Sequence, residues 1–330
     1  MQTAERPVGV GVVVIGRNEG ERLRRCIGSV RALADQVVYV DSDSTDGSAE
    51  WARGQGVDVV ALDLSRPFTA ARARNAGLRR LLALSPGLAF VQFVDGDCEV
   101  QPGWIPAAAR FLQAHPRVVA VCGRRRERFP ERSVYNRLCD HEWDTPAGEA
   151  KACGGDALMR IEALQSVGGF REDLIAGEEP ELCVRLRAAG GQVWRRPEEM
   201  TLHDAAMVRF GQWWKRAMRG GHAYAEGARL HGAAPERHFV VETRRALLWG
   251  AGLPLASLAL AWLLHPAWLA LLLAFPMQLL RLAWRERADG AAGRERALFL
   301  LLARFPEAQG ALTFWLNRLR RRRAGLIEYK

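Results

Sequence analysis

Two aspartates separated by one residue, Asp95 and Asp97, stand directly after the apolar run 89–94. Carboxylate oxygens are the ligands that Mg²⁺ and Mn²⁺ prefer, and such cations often share a diphosphate with one or two carboxylates. An Asp-x-Asp pair is common in loops, so its weight comes from its position at the end of a buried segment. We therefore predict a divalent-cation site, with His203 of the pair His203-Asp204 as a third contact.

Two further polar clusters follow apolar runs earlier in the chain. They are Arg17, Asn18 and Glu19 after residues 9–15, and the loop 41–48 after residues 36–40. Asp41 is expected to end a strand, where a carboxylate binds a ribose or a base edge. The Asp, Ser and Gly residues of this loop also favour turns, and Asp43 or Thr45 would suit the cap of the next helix. Capping does not account for Asp41, so a nucleotide contact is the preferred interpretation.

Residues 177–182, GEEPEL, place three acids at the predicted start of a helix. Acids are favoured there by the helix dipole, which is the purely structural explanation of Glu178, Glu179 and Glu181. Three acids are nevertheless more than a helix start needs. A general base must be a carboxylate or imidazole held near the hydroxyl that it deprotonates. One of these acids is therefore a candidate base.

Short apolar runs alternate with helical patterns through the first two thirds of the chain. The predicted strands cover residues 9–15, 36–40, 57–62, 89–94 and 118–122, and the predicted helices between them include 19–33, 69–84 and 106–115. This alternation predicts an α/β fold with a mainly parallel sheet flanked by helices. Ligands of such sheets bind at the carboxyl ends of the strands, where the polar clusters lie. Arg72, Arg74 and Asn75, early in the helix 69–84, are candidates for contact with a diphosphate.

Taken in order, these clusters resemble the family 2 glycosyltransferases, which have the Rossmann-like GT-A fold. The resemblance covers residues 8–204, roughly 60% of the chain. It rests on VVVIGRNEGERL, VVYVDSDSTDGS, ARNAG, FVDGDCEV, GGDALMRIEAL with VGGFRED, and GEEPELCVRLRAAG. It implies a hexosyltransferase-type enzyme that transfers a sugar from a nucleoside-diphosphate sugar to a hydroxyl group, with inversion and with a divalent cation, Mn²⁺ or Mg²⁺.

The resemblance also implies roles for individual residues. The implied nucleotide-sugar contacts are Arg17, Asn18, Glu19, Asp41, Asp43, Arg74, Asp95, Gly154, Gly155 and Asp156, and the implied Asp-x-Asp cation ligands are Asp95 and Asp97, with Asp97 the more direct. The Glu-Asp pair of the family corresponds here to Glu178-Glu179, which makes Glu179 the expected base. Because Glu179 is one methylene longer than Asp, the choice between the two glutamates stays open. The Gln-x-x-Arg-Trp motif of processive synthases is missing, so processive polymerisation is not supported.

The chain changes character near Arg244. Residues 246–280 contain no Asp, Glu, Lys or Arg, and this tract is longer than the roughly 20 residues that cross a bilayer. A turn is predicted at His265-Pro266, and basic residues flank both ends, which places both ends on the cytoplasmic side. We predict a catalytic domain at 1–240 and a tail at 241–330, made of an apolar helical hairpin and a basic amphipathic segment. A buried hairpin in a soluble core is the alternative, and the hairpin either spans the membrane or lies in its plane.

Composition indicates the kind of partner and the cellular location of the protein. Lys and Arg number 47 against 37 Asp and Glu, giving a net charge of +10 that favours anionic partners. The six cysteines form no Cys-x-x-Cys pair, which favours reduced thiols, and residues 1–16 lack a signal-peptide pattern. We expect the cytoplasmic face of the inner (plasma) membrane, with a lipid-linked or cell-envelope glycan as acceptor. A nucleotidyltransferase on a related fold is the alternative. A nucleic-acid-binding protein is more remote, because the basic run 318–323 adjoins apolar residues that suit anionic lipid.

Overall fold

The computed structural model describes residues 9–63, 65–321 and residue 325. The chain forms two compact units that divide between Val208 and Arg209. The predicted lack of a signal peptide depends partly on residues 1–8, and the basic run 318–323 ends at residues 322 and 323; all of these lie outside the described residues. The functional boundary after residue 240 stays a prediction.

The first half of the first unit is a parallel βα repeat. Its strands are β1 (Val10–Gly16), β2 (Gln36–Asp41), β3 (Asp58–Ala61) and β4 (Phe90–Asp95), and its helices are α1 (Glu21–Val30), α2 (Ser48–Gly54) and α3 (Ala70–Leu84). These strands pair in the order β3-β2-β1-β4, and every neighbouring pair is parallel. The predicted alternation of strands and helices is confirmed here.

The second half of this unit extends the same sheet with mixed polarity. Its elements are β5 (Cys98–Val100), α4 (Trp104–Ala114), β6 (Val118–Glu127), α5 (Val134–Glu142), β7 (Gly148–Glu149), β8 (Ala157–Arg160), α6 (Ile161–Ser166), α7 (Glu178–Ala188) and β9 (Gln192–His203). Within the described part of the chain nine strands form one sheet, in the order β3-β2-β1-β4-β8-β6-β9-β5 with β7 beside β9. Strand β8 is antiparallel to both neighbours. The predicted α/β class is confirmed, but the sheet is mixed rather than mainly parallel.

Strand β1 is buried on both faces, as its unbroken apolar run predicts. Val12 and Val14 pack into the core cluster that includes α1, whereas Val13 packs into the cluster that includes α3. Helix α3 approaches the sheet closely at Gly77, where an added Cβ would lie 2.3 Å from Val13 Cγ1. This close packing fixes the position of α3, and Arg74 lies one turn earlier on the same helix.

The second unit is helical. Its α-helices are α8 (Phe210–His231), α9 (Val240–Leu247), α10 (Leu253–Leu263), α11 (Ala274–Arg285), α12 (Gly290–Leu302) and α13 (Arg304–Leu319). Two helical segments of 24 and 20 residues, Val240–Leu263 and Pro266–Arg285, are long and apolar enough to cross a membrane. The chain turns between them, and His265 Nδ1 accepts a hydrogen bond from Ala267 N (3.1 Å) at the start of the second segment. The turn predicted at His265-Pro266 is thus present.

Candidate active site

Three parallel strands end at one edge of the sheet. In their register Gly16 lies beside Asp41, and Ile15 lies beside Asp95. The polar residues that follow β1, β2 and β4 therefore start from neighbouring backbone positions. The structure brings together the three clusters that the strand pattern places at a common edge.

Hydrogen bonds join the loop after β1 to the loop after β2. Asn18 N donates to Ser44 Oγ (2.9 Å), and Thr45 N donates to Asn18 Oδ1 (2.7 Å). Asp41 accepts from the Tyr39 hydroxyl (2.8 Å) and from Ser44 N (2.9 Å). Burial and the neighbouring Asp41 raise the pKa of Tyr39, so its hydroxyl stays protonated and donates to the carboxylate. Asn18 and Asp41 therefore shape this pair of loops.

The other two predicted residues of the first loop have neighbours of their own. The guanidinium of Arg17 lies 4.8 Å from the centre of the Phe68 ring, an arrangement that favours a cation over an aromatic face. Glu19 Oε2 lies 2.9 Å from Arg22 Nε, close to the start of α1. Arg17 is thus oriented by an aromatic side chain, and Glu19 is paired within its own segment.

The second loop does not use Asp43 or Thr45 as a helix cap. Helix α2 follows Gly47, which lacks a side-chain cap, and Ser48 N donates to Asp46 Oδ1 (3.0 Å). Asp43 is exposed and has a φ of 73°. The capping interpretation of Asp43 is therefore wrong, and its carboxylate faces solvent beside the buried Asp41.

Arg74 links the strand-end aspartate to the acidic helix start. Its Nη2 donates to Asp95 Oδ1 (2.8 Å), and its Nη1 donates to Glu178 Oε1 (2.6 Å). The Arg74 side chain is only 3% exposed, whereas that of Asp95 is 30% exposed. Asp95 is consequently the member of this trio that offers most surface to a ligand.

A second arginine, Arg125 of β6, whose side chain is 11% exposed, lies on the other side of Asp95. Its Nη2 lies 2.7 Å from Asp156 Oδ2 and 3.8 Å from Asp95 Oδ2. Asp156 is fully buried and also accepts from Asp95 N (3.0 Å) and from the Thr201 hydroxyl (3.0 Å). Asp156 therefore positions Asp95 and Arg125. Gly155 has a φ of 106°, and an added Cβ would lie 3.2–3.5 Å from Arg74, Arg125 and Asp95.

The sequence analysis did not identify Arg125. The available signal was the run Arg124-Arg125-Arg126, which continues a strand whose start is apolar. The pairing of β6 with β9 is irregular between Arg124 and Arg125, so regular alternation along the strand does not decide which way these side chains face. Arg124 lies 3.1 Å from Asp140 through its Nη2, so Arg124 and Arg125 contact different carboxylates.

Asp97 and His203 meet at the carboxyl end of the sheet. His203 Nε2 lies 3.3 Å from Asp97 Oδ2, and His203 Nδ1 lies 3.7 Å from Glu127 Oε2. The ring of Trp143 contacts His203 edge-on, with centroids 4.7 Å apart. Strand β9 runs from Gln192 to His203, so His203 is the last residue of a strand. A rigid strand places the imidazole.

The chemistry of this pair fits a divalent cation. His203 Nδ1 makes no hydrogen bond to the described residues, and Glu127 Oε2 lies 3.7 Å from it. Asp97 Oδ2 and His203 Nε2 lie 3.3 Å apart, and a carboxylate oxygen with an unprotonated imidazole nitrogen is a ligand pair that divalent cations take. Asp97, Cys98 and His203 each offer a ligand atom, all within 4.8 Å of one another. Asp95, the other predicted ligand, is instead held by the two arginines.

Glu179 has both carboxylate oxygens engaged with a neighbouring loop. Oε1 accepts from Cys153 N and Oε2 accepts from Gly154 N, both at 2.9 Å. The Cys183 thiol also donates to Oε1 at 2.9 Å. Glu179 is 2% exposed. This carboxylate holds the loop that carries Gly154 and Gly155.

Two candidates on α3 hold chain segments rather than facing the edge of the sheet. Asn75 Nδ2 donates to Phe170 O (2.8 Å), and Phe170 N donates to Asn75 Oδ1 (2.9 Å). Arg72 donates to the backbone carbonyl groups of Asp63, Arg66 and Pro67. Arg72 and Asn75 thus hold chain segments through these hydrogen bonds, and their contact with a diphosphate stays a prediction.

Comparison with known proteins assigns this architecture to a class. A solved structure of the mannosyltransferase PcManGT from Pyrobaculum calidifontis, in complex with GDP-Man and Mn²⁺, has a TM-score of 0.60 with this chain. The two are 20% identical, and the match covers 96% of this chain and 89% of that one. Staphylococcus aureus TarS 1–349 has a TM-score of 0.50 at 15% identity, over 96% and 92% of the two chains. The chain has the GT-A glycosyltransferase fold.

Sequence relatives give the family. Residues 11–164 match the glycosyl transferase family 2 model, so the chain carries a family 2 glycosyltransferase domain. The pre-mycofactocin glycosyltransferase of Mycobacterium tuberculosis is 28% identical over 214 residues, which is 59% of this chain and 42% of that protein. The succinoglycan biosynthesis protein ExoA of Rhizobium meliloti is 28% identical over 198 residues, 56% and 59% of the two. The matches thus span less than two thirds of each relative.

Proposed function

We propose that this protein transfers a sugar from a nucleoside-diphosphate sugar to a hydroxyl acceptor, with inversion and with a bound divalent cation. The observation that carries the proposal is the convergence of unlike charges at the end of β4. Arg74 and Arg125, with side chains 3% and 11% exposed, flank Asp95, and Asp97, two residues further along the chain, lies 3.3 Å from His203. Arginine fits phosphate, and carboxylate with imidazole fits a divalent cation. A sugar diphosphate with its cation needs both.

The division of labour follows from what each residue contacts. Asp97 and His203 would hold the cation. Such a cation supplies positive charge that stabilises the departing diphosphate. The exposed part of Asp95, beside Gly155, would face the donor, and the loops ordered by Asn18 and Asp41 would hold the nucleotide together with Arg17, Glu19 and Asp43.

The base is the remaining role, and the contacts favour Glu178 over Glu179. An inverting displacement requires one base to take the proton of the acceptor hydroxyl. Glu179 is enclosed by two backbone amides and a thiol, which leaves little room for an acceptor. The Glu178 side chain is 12% exposed and is linked through Arg74 to Asp95. We therefore assign the base to Glu178 and loop positioning to Glu179.

The acceptor is proposed to be a lipid-linked or cell-envelope glycan at the cytoplasmic face of the membrane. One relative is a protein of succinoglycan biosynthesis by name. In the first of the two long apolar segments of the second unit, Leu255, Trp262 and Leu263 are 63%, 86% and 66% exposed. Burial of such side chains lowers the free energy by roughly 25 cal/mol per Å² of apolar surface removed from water. A membrane surface would cover them.

A panel of nucleotide sugars tests the reaction class. The full chain is incubated with each donor and Mn²⁺, Mg²⁺ or a chelator, and release of nucleoside diphosphate is measured. Nucleoside triphosphates run in parallel, since a nucleotidyltransferase would consume those. We expect one or a few sugar nucleotides to turn over in a cation-dependent way. Turnover of triphosphates alone would contradict the proposal.

Vesicle flotation tests the membrane assignment separately. The double substitution Trp262→Glu and Leu263→Glu should reduce binding to vesicles that contain anionic lipid. The matched control is Leu84→Glu, a partly exposed leucine of the first unit, which should leave binding unchanged. Equal binding of both variants would show that the apolar segments do not contact the bilayer.

A further inference from the structure

A cluster of three cysteines and one glutamate lies apart from the Asp97–His203 pair. The cluster consists of Cys122 in β6, Cys153 in the loop before β8, and Glu179 with Cys183 on successive turns of α7. The sulfur atoms of Cys153 and Cys183 and a carboxylate oxygen of Glu179 all lie within 4.8 Å of one another. Three ligand atoms from two parts of the fold, the loop before β8 and helix α7, therefore converge on one point, and Cys122 lies outside this 4.8 Å group.

Cys122 belongs to the same cluster. Hydrogen bonding with the thiols of Cys122 and Cys183, together with burial, raises the pKa of Cys153. Cys122 and Cys183 are each at most 1% exposed, and Cys153 is partly buried. Transfer of a sugar requires none of these thiols, so the proposed function leaves the cluster unexplained.

The ligand set distinguishes this cluster from the catalytic edge. Thiolates select Zn²⁺, which takes four ligands in a tetrahedron at about 2.3 Å from sulfur and about 2.0 Å from carboxylate oxygen. Ligand atoms of such a tetrahedron lie roughly 3–4 Å apart. The ligand atoms of Cys153, Cys183 and Glu179 lie within 4.8 Å of one another, so these three need only a small inward shift, whereas Cys122 would have to move further. Carboxylate and imidazole without thiolate suit Mg²⁺ or Mn²⁺ better.

We propose that Cys153, Cys183 and Glu179, with Cys122 as the fourth ligand, form a Zn²⁺ site separate from the catalytic cation. Binding forms three Zn–S bonds and one Zn–O bond, and each of the three thiols releases its proton to solvent. The metal would join α7 to the loop that carries Gly154 and Gly155. This inference does not depend on the proposed transfer reaction.

Cobalt replaces zinc as a visible probe. Co²⁺ is titrated into the reduced, metal-free full-length protein, and the charge-transfer absorption from thiolate to Co²⁺ is recorded. We expect a band that saturates at one equivalent, disappears on addition of Zn²⁺, and is lost in both Cys153→Ser and Cys183→Ser. The matched control is Cys98→Ser, since Cys98 is the thiol beside Asp97, and this variant should keep the band.

Three results would overturn the site. The first is a folded wild-type protein, verified by circular dichroism, that shows no thiolate band with Co²⁺. The second is a band that survives in Cys153→Ser or Cys183→Ser but is lost in Cys98→Ser, which would place the metal beside Asp97. Thiol titration of the untreated protein adds a third check, because a Cys153–Cys183 disulfide would also exclude the zinc site.

Discussion

Replacing the two adjacent glutamates one at a time by glutamine separates catalysis from loop positioning. Glu178 and Glu179 are neighbours in the chain. Each substitution replaces one carboxylate oxygen by an amide nitrogen, so each variant is the control for the other. Glu179 binds two backbone amides of one loop, whereas Glu178 binds the buried Arg74. The two substitutions should therefore affect different observables.

The magnitudes follow from these contacts. In Glu179→Gln one oxygen still accepts, but the amide nitrogen now faces a backbone N–H. A lost hydrogen bond to a charged group is worth about 1.5–3 kcal/mol, and an unsatisfied buried donor adds to that, so we expect a loss of about 3 kcal/mol in free energy of unfolding. In Glu178→Gln, Arg74 keeps its pairing with Asp95, and we expect about 1 kcal/mol. Removal of a general base lowers kcat by about 10²–10⁴-fold.

Urea denaturation followed by circular dichroism measures the first quantity, and release of nucleoside diphosphate measures the second. Donor binding is measured alongside, and Glu178→Gln should bind the donor as the wild type does. A Glu179→Gln protein as stable as the wild type that has lost only turnover would refute this reasoning. That result would return the base role to Glu179.

Two further predictions follow from buried charges. Arg125→Met removes the arginine partner of the fully buried Asp156. We expect this variant to lose about 3–5 kcal/mol in free energy of unfolding. Adding Asp156→Asn to Arg125→Met should recover part of that loss. Burial lowers the pKa of His222 to about 4, below its ordinary value near 6.5, although Glu226 lies 3.6 Å from it. The folded protein therefore holds His222 as a neutral imidazole. The contribution of His222 to stability is complete above pH 6.5 and is lost as the pH falls towards 4. Between pH 7 and pH 5 the wild type should lose about 2 kcal/mol more than His222→Gln, and an equal loss in both would contradict the assignment.

The sequence predicts the parallel strands β1, β2 and β4 better than the later strands β5, β7, β8 and β9. Buried parallel strands are unbroken apolar runs that end at polar residues, so β1, β2 and β4 and the clusters after them are visible in the pattern. Strands β5, β7 and β8 have two to four residues, too few to show a period. In β9 the segment Arg195–Glu199 carries charges and Pro197, and the structure absorbs it in a register shift opposite Cys122 and Arg124, as proline in a sheet requires.

The site shows the same limit at the level of single contacts. Asp97 is indicated by its position after a buried strand and His203 by its residue type, but their proximity depends on pairing between β5 and β9 over about a hundred residues. No local pattern shows that Glu179 binds the amides of residues 153 and 154, or that Asn75 binds Phe170. These partners are distant in sequence, and hydrogen bonds to backbone leave no signature in residue type. For Arg125, the sequence offers one local feature, the run of three arginines at 124–126.

The cation requirement of Asp97→Asn tests the central claim most directly. The measurement is the rate of nucleoside diphosphate release from the sugar nucleotide as a function of Mn²⁺ concentration. Asp58→Asn is the matched control, because Asp58 pairs with Arg80 at the amino-terminal end of β3, away from the catalytic edge. Asp97→Asn should lower the rate by about 100-fold or more and raise the Mn²⁺ concentration needed for half the maximal rate, while Asp58→Asn stays near wild type. An Asp97→Asn protein with the wild-type rate and the wild-type Mn²⁺ dependence would contradict the account.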